Sequence, residues 1–171
     1  MLPIVHPVVG YLCYAAYTRV RRGQRPDGEP TAVAVVAATL PDLVDQPLWL
    51  LGATPVGRTI THSLLVALPV VAVVGVIARR RGRPELGIAF AIGYLSHLAA
   101  DVPWHVLAGE YDELGFLFWP ITHMPAYTGT KTLGIVWGVE LTTLWIEAVL
   151  FVTGIGLWWY DGRPGLELLR R

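Results

Sequence analysis

The sequence predicts an all-α fold: a polytopic membrane helical bundle of about five transmembrane helices, N-terminus outside and C-terminus in the cytoplasm. Three observations predict it. The 171 residues are 54% hydrophobic and only 15% charged, with a mean hydropathy of +0.51, whereas a soluble domain carries about a quarter charged residues. The apolar residues fall into long uninterrupted runs, and the arginines lie in clumps between them. The length suits a single membrane-embedded domain over residues 1–171, with 161–171 as a short cytoplasmic tail.

The runs are Leu2–Thr18, Thr31–Leu51, His62–Ala78, Leu86–Ala108 and approximately Leu133–Tyr160. At about 1.5 Å per residue, helices of these lengths cover most or all of a hydrocarbon core about 30 Å thick, the first and third being short for it. Arginines follow the first run rather than precede it, which argues for a retained span and against a cleaved signal peptide. Arg19, Arg21, Arg22 and Arg25 follow run one. Arg79, Arg80, Arg81 and Arg83 follow run three, and Arg163, Arg170 and Arg171 follow run five. Five spans with the N-terminus outside place these eleven of thirteen basic residues in the cytoplasm and leave Arg58 and Lys131 outside, as the positive-inside rule requires. Trp49, Trp104, Trp119 and Trp137 then mark the outer interface, Trp158 and Trp159 the inner one.

Two function classes fall away on composition. The formal net charge of zero and the clumped arginines give no continuous basic face for nucleic acid. The single cysteine, Cys13, excludes an intrachain disulfide and suits a small packing residue.

The same topology gathers chemistry at one level. His6 starts span one, Asp42 and Asp45 lie in the outer half of span two, and His62 opens span three. His97, Asp101 and His105 occupy the outer part of span four, and His123 lies in the outer loop after Phe116–Pro120. Ionisable groups in hydrocarbon are costly and mark functional sites, and mixed imidazole and carboxylate donors suit a hard or borderline metal ion. The strongest local pattern is His97-Leu-Ala-Ala-Asp101, whose i, i+4 spacing puts both side chains on one helix face. His105 continues that stripe past Pro103, which removes a backbone donor. The plainer reading is an aspartate orienting a histidine, with no metal.

In Leu40-Pro-Asp-Leu-Val-Asp-Gln-Pro47 two carboxylates three apart share a face, and the flanking prolines break or bend the span, which membranes tolerate where the backbone lines a cavity. A polar turn explains the prolines but not two acids in an apolar run. In Gly57-Arg-Thr-Ile-Thr-His62-Ser63, Thr61 is placed to cap the next helix with His62 in its first turn. Arg58 is there either an interfacial anchor or the partner of a phosphate. Glu140 could join the site, whereas Glu147 lies too deep in a regular span and suits helix packing.

The series LPDLVDQP, GRTITHSLL, GYLSHLAAD and FLFWP, running in order from Leu40 to Pro120, resembles the YdjM-like family of inner-membrane-associated metal-dependent hydrolases. His6 suits that family's early histidine. The resemblance implies a helical membrane protein, distantly related to zinc-dependent phospholipase C, whose metal site hydrolyses a phosphoester. It places metal ligands at Asp42, His62, His97 and Asp101. Three departures stand out: Asp42 and Asp45 are three apart rather than two, Gly57 replaces a histidine, and Tyr127 replaces a glutamate four residues after His123. One metal site is therefore expected rather than two or three.

Together these readings give an expected function. The chain is a multi-pass cell-membrane hydrolase acting at the extracytoplasmic face on a phospholipid or lipid-linked phosphate. A divalent metal, zinc foremost, draws on His6, Asp42, Asp45, His62, His97, Asp101 and His123. Asp45 or His105 serves as base or orienting residue, and Arg58 holds the phosphate. The alternatives are a non-catalytic membrane metal-binding or transport protein and, less favoured because of the carboxylates, a haem-bearing electron carrier.

Overall fold

A computed structural model describes residues 2–109, 111–124 and 141–170. Lys131, Trp137 and Glu140 lie outside the described residues, as do the side chains of Trp104 and His105. The described residues form α1 (His6–Arg22), α2 (Gly28–Ala37), α3 (Leu40–Leu50), α4 (Leu64–Arg80), α5 (Pro84–Ala108) and α6 (Leu141–Tyr160). Two 3₁₀ segments, Tyr111–Phe118 and Leu166–Arg170, complete them. No strand occurs among the described residues.

Each apolar run is mostly helical where it is described, but the second run is two helices rather than one span. The chain turns at Ala38–Thr39 because Pro41, in the first turn of α3, has no N–H to return to Ala37 and disfavours helix at the residue before it. Among the described residues two segments are both long and apolar enough to cross a membrane: Gly28–Leu50, with its internal turn, and Pro84–Pro103. Helices α1 and α4, at 17 residues each, span only about 25 Å.

Helix α5 is the hub, packed on α1, α2 and α4, and α1 also meets α6. Small residues set how close these helices come. A Cβ on Gly93 would collide with the Ala34 carbonyl, and one on Gly10 would reach Ala38 Cβ at 2.5 Å. Tyr14, Ala34 and Ala89 form one core cluster there, and Ala37, Ala67, Tyr94 and Leu98 form a second between α2, α4 and α5. Outward-facing positions are also apolar: Val73 is 56% exposed and Val152 70%, the surface expected where the surrounding solvent is lipid.

The bundle has two chemically different ends. At one, Arg19 bridges both oxygens of Asp161 at 2.6 and 2.8 Å with Tyr11 donating to the same carboxylate, and Arg83 pairs with Glu29 at 2.8 Å. At the other end lie the start of α1, the turn before α3, the 51–63 loop and the last third of α5.

A histidine and aspartate cluster at the α1 start

Four separate stretches of sequence converge at this second end. His6 comes from the first turn of α1, Asp42 and Asp45 from α3, His62 from the loop before α4, and His97 with Asp101 from α5. All but Asp42 are at least 99% buried, and the Asp42 side chain keeps 11% of its surface exposed.

Local structure explains how each side chain is aimed. The turn at Ala38 leaves its carbonyl facing α5, where it accepts from His97 Nδ1 at 2.7 Å. On α3, Pro41, Asp45 and Trp49 form the buried face at i, i+4 spacing, so Asp45 points inward. Its carboxylate accepts from His62 Nδ1 at 2.8 Å, from Thr59 N at 2.8 Å, from Thr61 N at 3.2 Å and from His62 N at 3.3 Å. The 58–62 loop is thus wound around one buried carboxylate. Thr61 Oγ1 donates to the Pro41 carbonyl at 2.9 Å, and Tyr94 OH donates to the Thr61 carbonyl at 2.7 Å.

These contacts correct the expected cap. Ser63, in extended conformation at ψ 133° and accepting from Leu65 N, caps α4. Thr61 is tied to α3, and His62 precedes the helix rather than opening it. Ser63 Oγ also donates to the Trp119 carbonyl at 2.7 Å, which holds the 111–118 segment over the cluster. Phe116 of that segment meets His62 edge-on at 6.1 Å between centroids and packs with Val56 and Met124.

The Nδ1 partners fix the tautomers of two rings. Ionised Asp45 and the Ala38 carbonyl only accept, so His62 and His97 each donate from Nδ1, which leaves Nε2 as the ring nitrogen aimed at the cluster. Those two Nε2 atoms face each other at 3.0 Å. Around them, His62 Nε2 lies 3.6 Å from Asp42 Oδ1 and 3.9 Å from Asp101 Oδ2, and His97 Nε2 lies 3.9 Å from Asp42 Oδ1. His6 stacks on His97 with centroids 3.8 Å apart, and its Nε2 is 3.4 Å from Asp101 Oδ1 and 4.0 Å from Asp42 Oδ2. His6 Nδ1 is buried without a hydrogen-bond partner among the described residues. Arg58 Nε donates to Asp101 Oδ2 at 3.0 Å.

This donor set fits a metal ion. His6, Asp42 and His97, and likewise His62, His97 and Asp101, each offer ligand atoms within 4.8 Å of one another. Donors held about 2.0–2.1 Å from one tetrahedral zinc ion lie about 3.3–3.4 Å apart, in the middle of the separations seen. His97 belongs to both groups with one available nitrogen, which favours one ion over two.

The structure sorts the expected site residues. It brings together His6, Asp42, His62, His97 and Asp101, and sets Arg58 against Asp101. Asp45 stands outside both donor groups, its oxygens receiving His62 Nδ1 and three backbone amides. His123 is exposed beside Pro55 and Ile121 and belongs to neither donor group. Glu147 is not deep: its carboxylate accepts from Leu2 N at 3.0 Å, level with the start of α1. Sequence reasoning missed the Ala38 carbonyl, the Thr59 and Thr61 amides and Tyr94. The helix-breaking Pro41 was the one signal that a backbone carbonyl would be freed nearby.

The chain belongs to the YdjM inner membrane protein family, whose pattern it matches over residues 1–166. Comparison with curated proteins and with solved structures returned no match.

Proposed function

We propose that this protein is a multi-pass membrane hydrolase that uses one divalent metal ion, zinc foremost, to cleave a phosphoester of a phospholipid or lipid-linked phosphate at the extracytoplasmic face. One observation carries the reading. Two imidazole Nε2 atoms are brought to 3.0 Å of each other in a buried site, a pairing that a shared cation, a proton or a metal ion, holds together, and two carboxylates flank it. The inner-membrane family supports a bilayer-borne substrate. The gathering of Arg19, Arg25 and Arg83 at the end away from the cluster supports an outward-facing site.

His62, His97 and His6 would hold the ion together with Asp42 and Asp101. A bound metal supplies a water of lowered pKa and a Lewis acid for the phosphoryl oxygen. The protein supplies the rest. Asp45 holds His62 in the correct tautomer and orientation, and the Ala38 carbonyl does the same for His97. Asp42, the cluster carboxylate with surface open to solvent, is placed to accept a proton from the attacking water. Arg58, whose Nε donates to Asp101 at 3.0 Å, is placed to meet a phosphate bound beside that carboxylate. The 111–118 segment, through Phe116, keeps bulk water off His62, which strengthens the electrostatic interactions within.

The haem alternative fares poorly, since two nitrogens 3.0 Å apart leave no room for an iron between axial ligands. The carrier alternative is separated by experiment. The protein purified in lipid nanodiscs is analysed for bound metal, then screened against phospholipids and lipid-linked phosphates. Metal-dependent release of phosphate or a headgroup is expected, abolished by chelator and by His97→Ala. Bound metal with no turnover across the screen would replace the hydrolase by a metal carrier.

A further inference from the structure

We propose that the groove walled by α1, α2 and α6 seats one acyl chain of a membrane lipid. The groove holds about 590 Å³ and is lined by Val8 and Tyr11 of α1, Val35 and Val36 of α2, and Ile155 and Trp158 of α6. That volume lies in the range of sites that enclose small ligands. At its far end residues 164–168 close it, held by Trp158 Nε1 donating to the Pro164 carbonyl at 3.1 Å.

The chemistry of the lining identifies the occupant. Three lining side chains carry polar atoms, and each is already satisfied. Tyr11 OH donates to Asp161, Thr31 Oγ1 donates to the Asp27 carbonyl, and Trp158 Nε1 is tied to Pro164. Nothing remains to bind a polar ligand, and a polar group placed there would lose its own hydrogen bonds. The groove reaches the end of α1 that carries the donor cluster. Ile4 and Pro7 line its near end, and His6, between them in the chain, turns to the opposite side to meet Asp101. A chain lying in the groove would therefore leave its headgroup at the start of α1, the helix whose other side carries His6. The proposal rests on the reading of the substrate as a lipid phosphoester and adds where its tail lies. Moving a tail from bilayer to groove gains little hydrophobic free energy, since both are apolar. The groove therefore acts by positioning the headgroup.

The test uses the full chain in nanodiscs doped with phosphatidylglycerol bearing a diazirine midway along one acyl chain. A chelator is present, so no turnover intervenes. After irradiation, labelled residues are located by peptide mass spectrometry. Label on Val8 and Ile155 should exceed that on Val73 and Val76, which face outward from α4. Val35→Trp, which fills the groove from α2, should lower the groove label to the α4 level and leave the α4 label unchanged. Ile155→Trp, filling it from the opposite wall, should do the same for Val8. Equal labelling of groove and α4 in the unaltered protein would overturn the proposal, leaving only annular lipid. So would groove label that persists in both tryptophan variants, or cross-links showing a second copy or residues 125–140 in the groove. Since the readout is labelling of metal-free protein, its failure leaves the hydrolase reading standing, and failure of the hydrolysis screen leaves the groove standing.

Discussion

Asp45→Asn tests whether this carboxylate orients a ligand or is itself one. The native carboxylate is fully buried and receives His62 Nδ1 and three backbone amides, at 2.8 to 3.3 Å. Asparagine keeps the shape but presents one oxygen and an NH₂ to four donors, so at least one donor faces another donor. A buried donor left unsatisfied costs about 1–3 kcal/mol. The lost charge also releases His62 from its Nδ1–H tautomer, and removing such an outer partner typically lowers metal affinity about 10–100-fold, or about 1.4–2.8 kcal/mol. The expected outcome is a folded protein whose zinc affinity, measured by competition with a chromophoric chelator in detergent, falls by that factor. His62→Ala, which removes a donor atom outright, should lose more. An Asp45→Asn affinity equal to that of the unaltered protein would refute the orienting role. A loss as large as that of His62→Ala would make Asp45 a ligand and redraw the site.

Four further outcomes are expected. His97→Ala and Asp101→Asn should abolish phosphoester turnover with the protein still inserted in the membrane, and Arg58→Lys should keep part of it, since a point charge attracts phosphate without a bidentate grip; full activity in His97→Ala would remove the metal site from the mechanism. Gly93→Ala should lower the unfolding midpoint, because the new Cβ meets the Ala34 carbonyl and overpacking costs about 1–3 kcal/mol. Gly75→Ala on α4, with nothing within 4 Å, should raise it by the helix propensity of about 1 kcal/mol, so equal effects at the two glycines would contradict the packing described. Reporters fused after Arg171 and within Gly109–Asp112 should read cytoplasm and outside respectively, and the reverse would turn the site inward. Glu147→Gln should leave turnover nearly unchanged, since an amide oxygen still accepts from Leu2 N; a large loss would bring Glu147 into the catalytic site.

Much of this molecule was legible in the sequence because its signals are local. Long apolar runs are helical whatever they pack against, and the i, i+4 spacing of His97 and Asp101 puts them on one face before any tertiary contact forms. Ionisable residues in such runs are expensive to bury, so their shared position near one end of each run already announced a cluster. The family motifs from Leu40 to Pro120 pointed the same way, and His6, Asp42, His62, His97 and Asp101 do meet.

What each residue does there was decided only in three dimensions. Asp42 and Asp45 are chemically identical and three apart, and nothing in the chain says which faces the shared space and which faces the loop. That choice follows from the break at Ala38–Thr39, which sets the roll of α3 about its axis, and from the 58–62 loop closing its amides on Asp45. His123 sits in a sequence context as suggestive as that of His62, yet no element carries it into the cluster. The facing Nε2 atoms of His62 and His97 depend on acceptors 17 and 59 residues away, a distance no local pattern encodes. Residue type and spacing determined which donors exist and at which end of their helices they lie. Long-range hydrogen bonds, fixed by how α3 and α5 pack, determined which donor atoms point at a common centre.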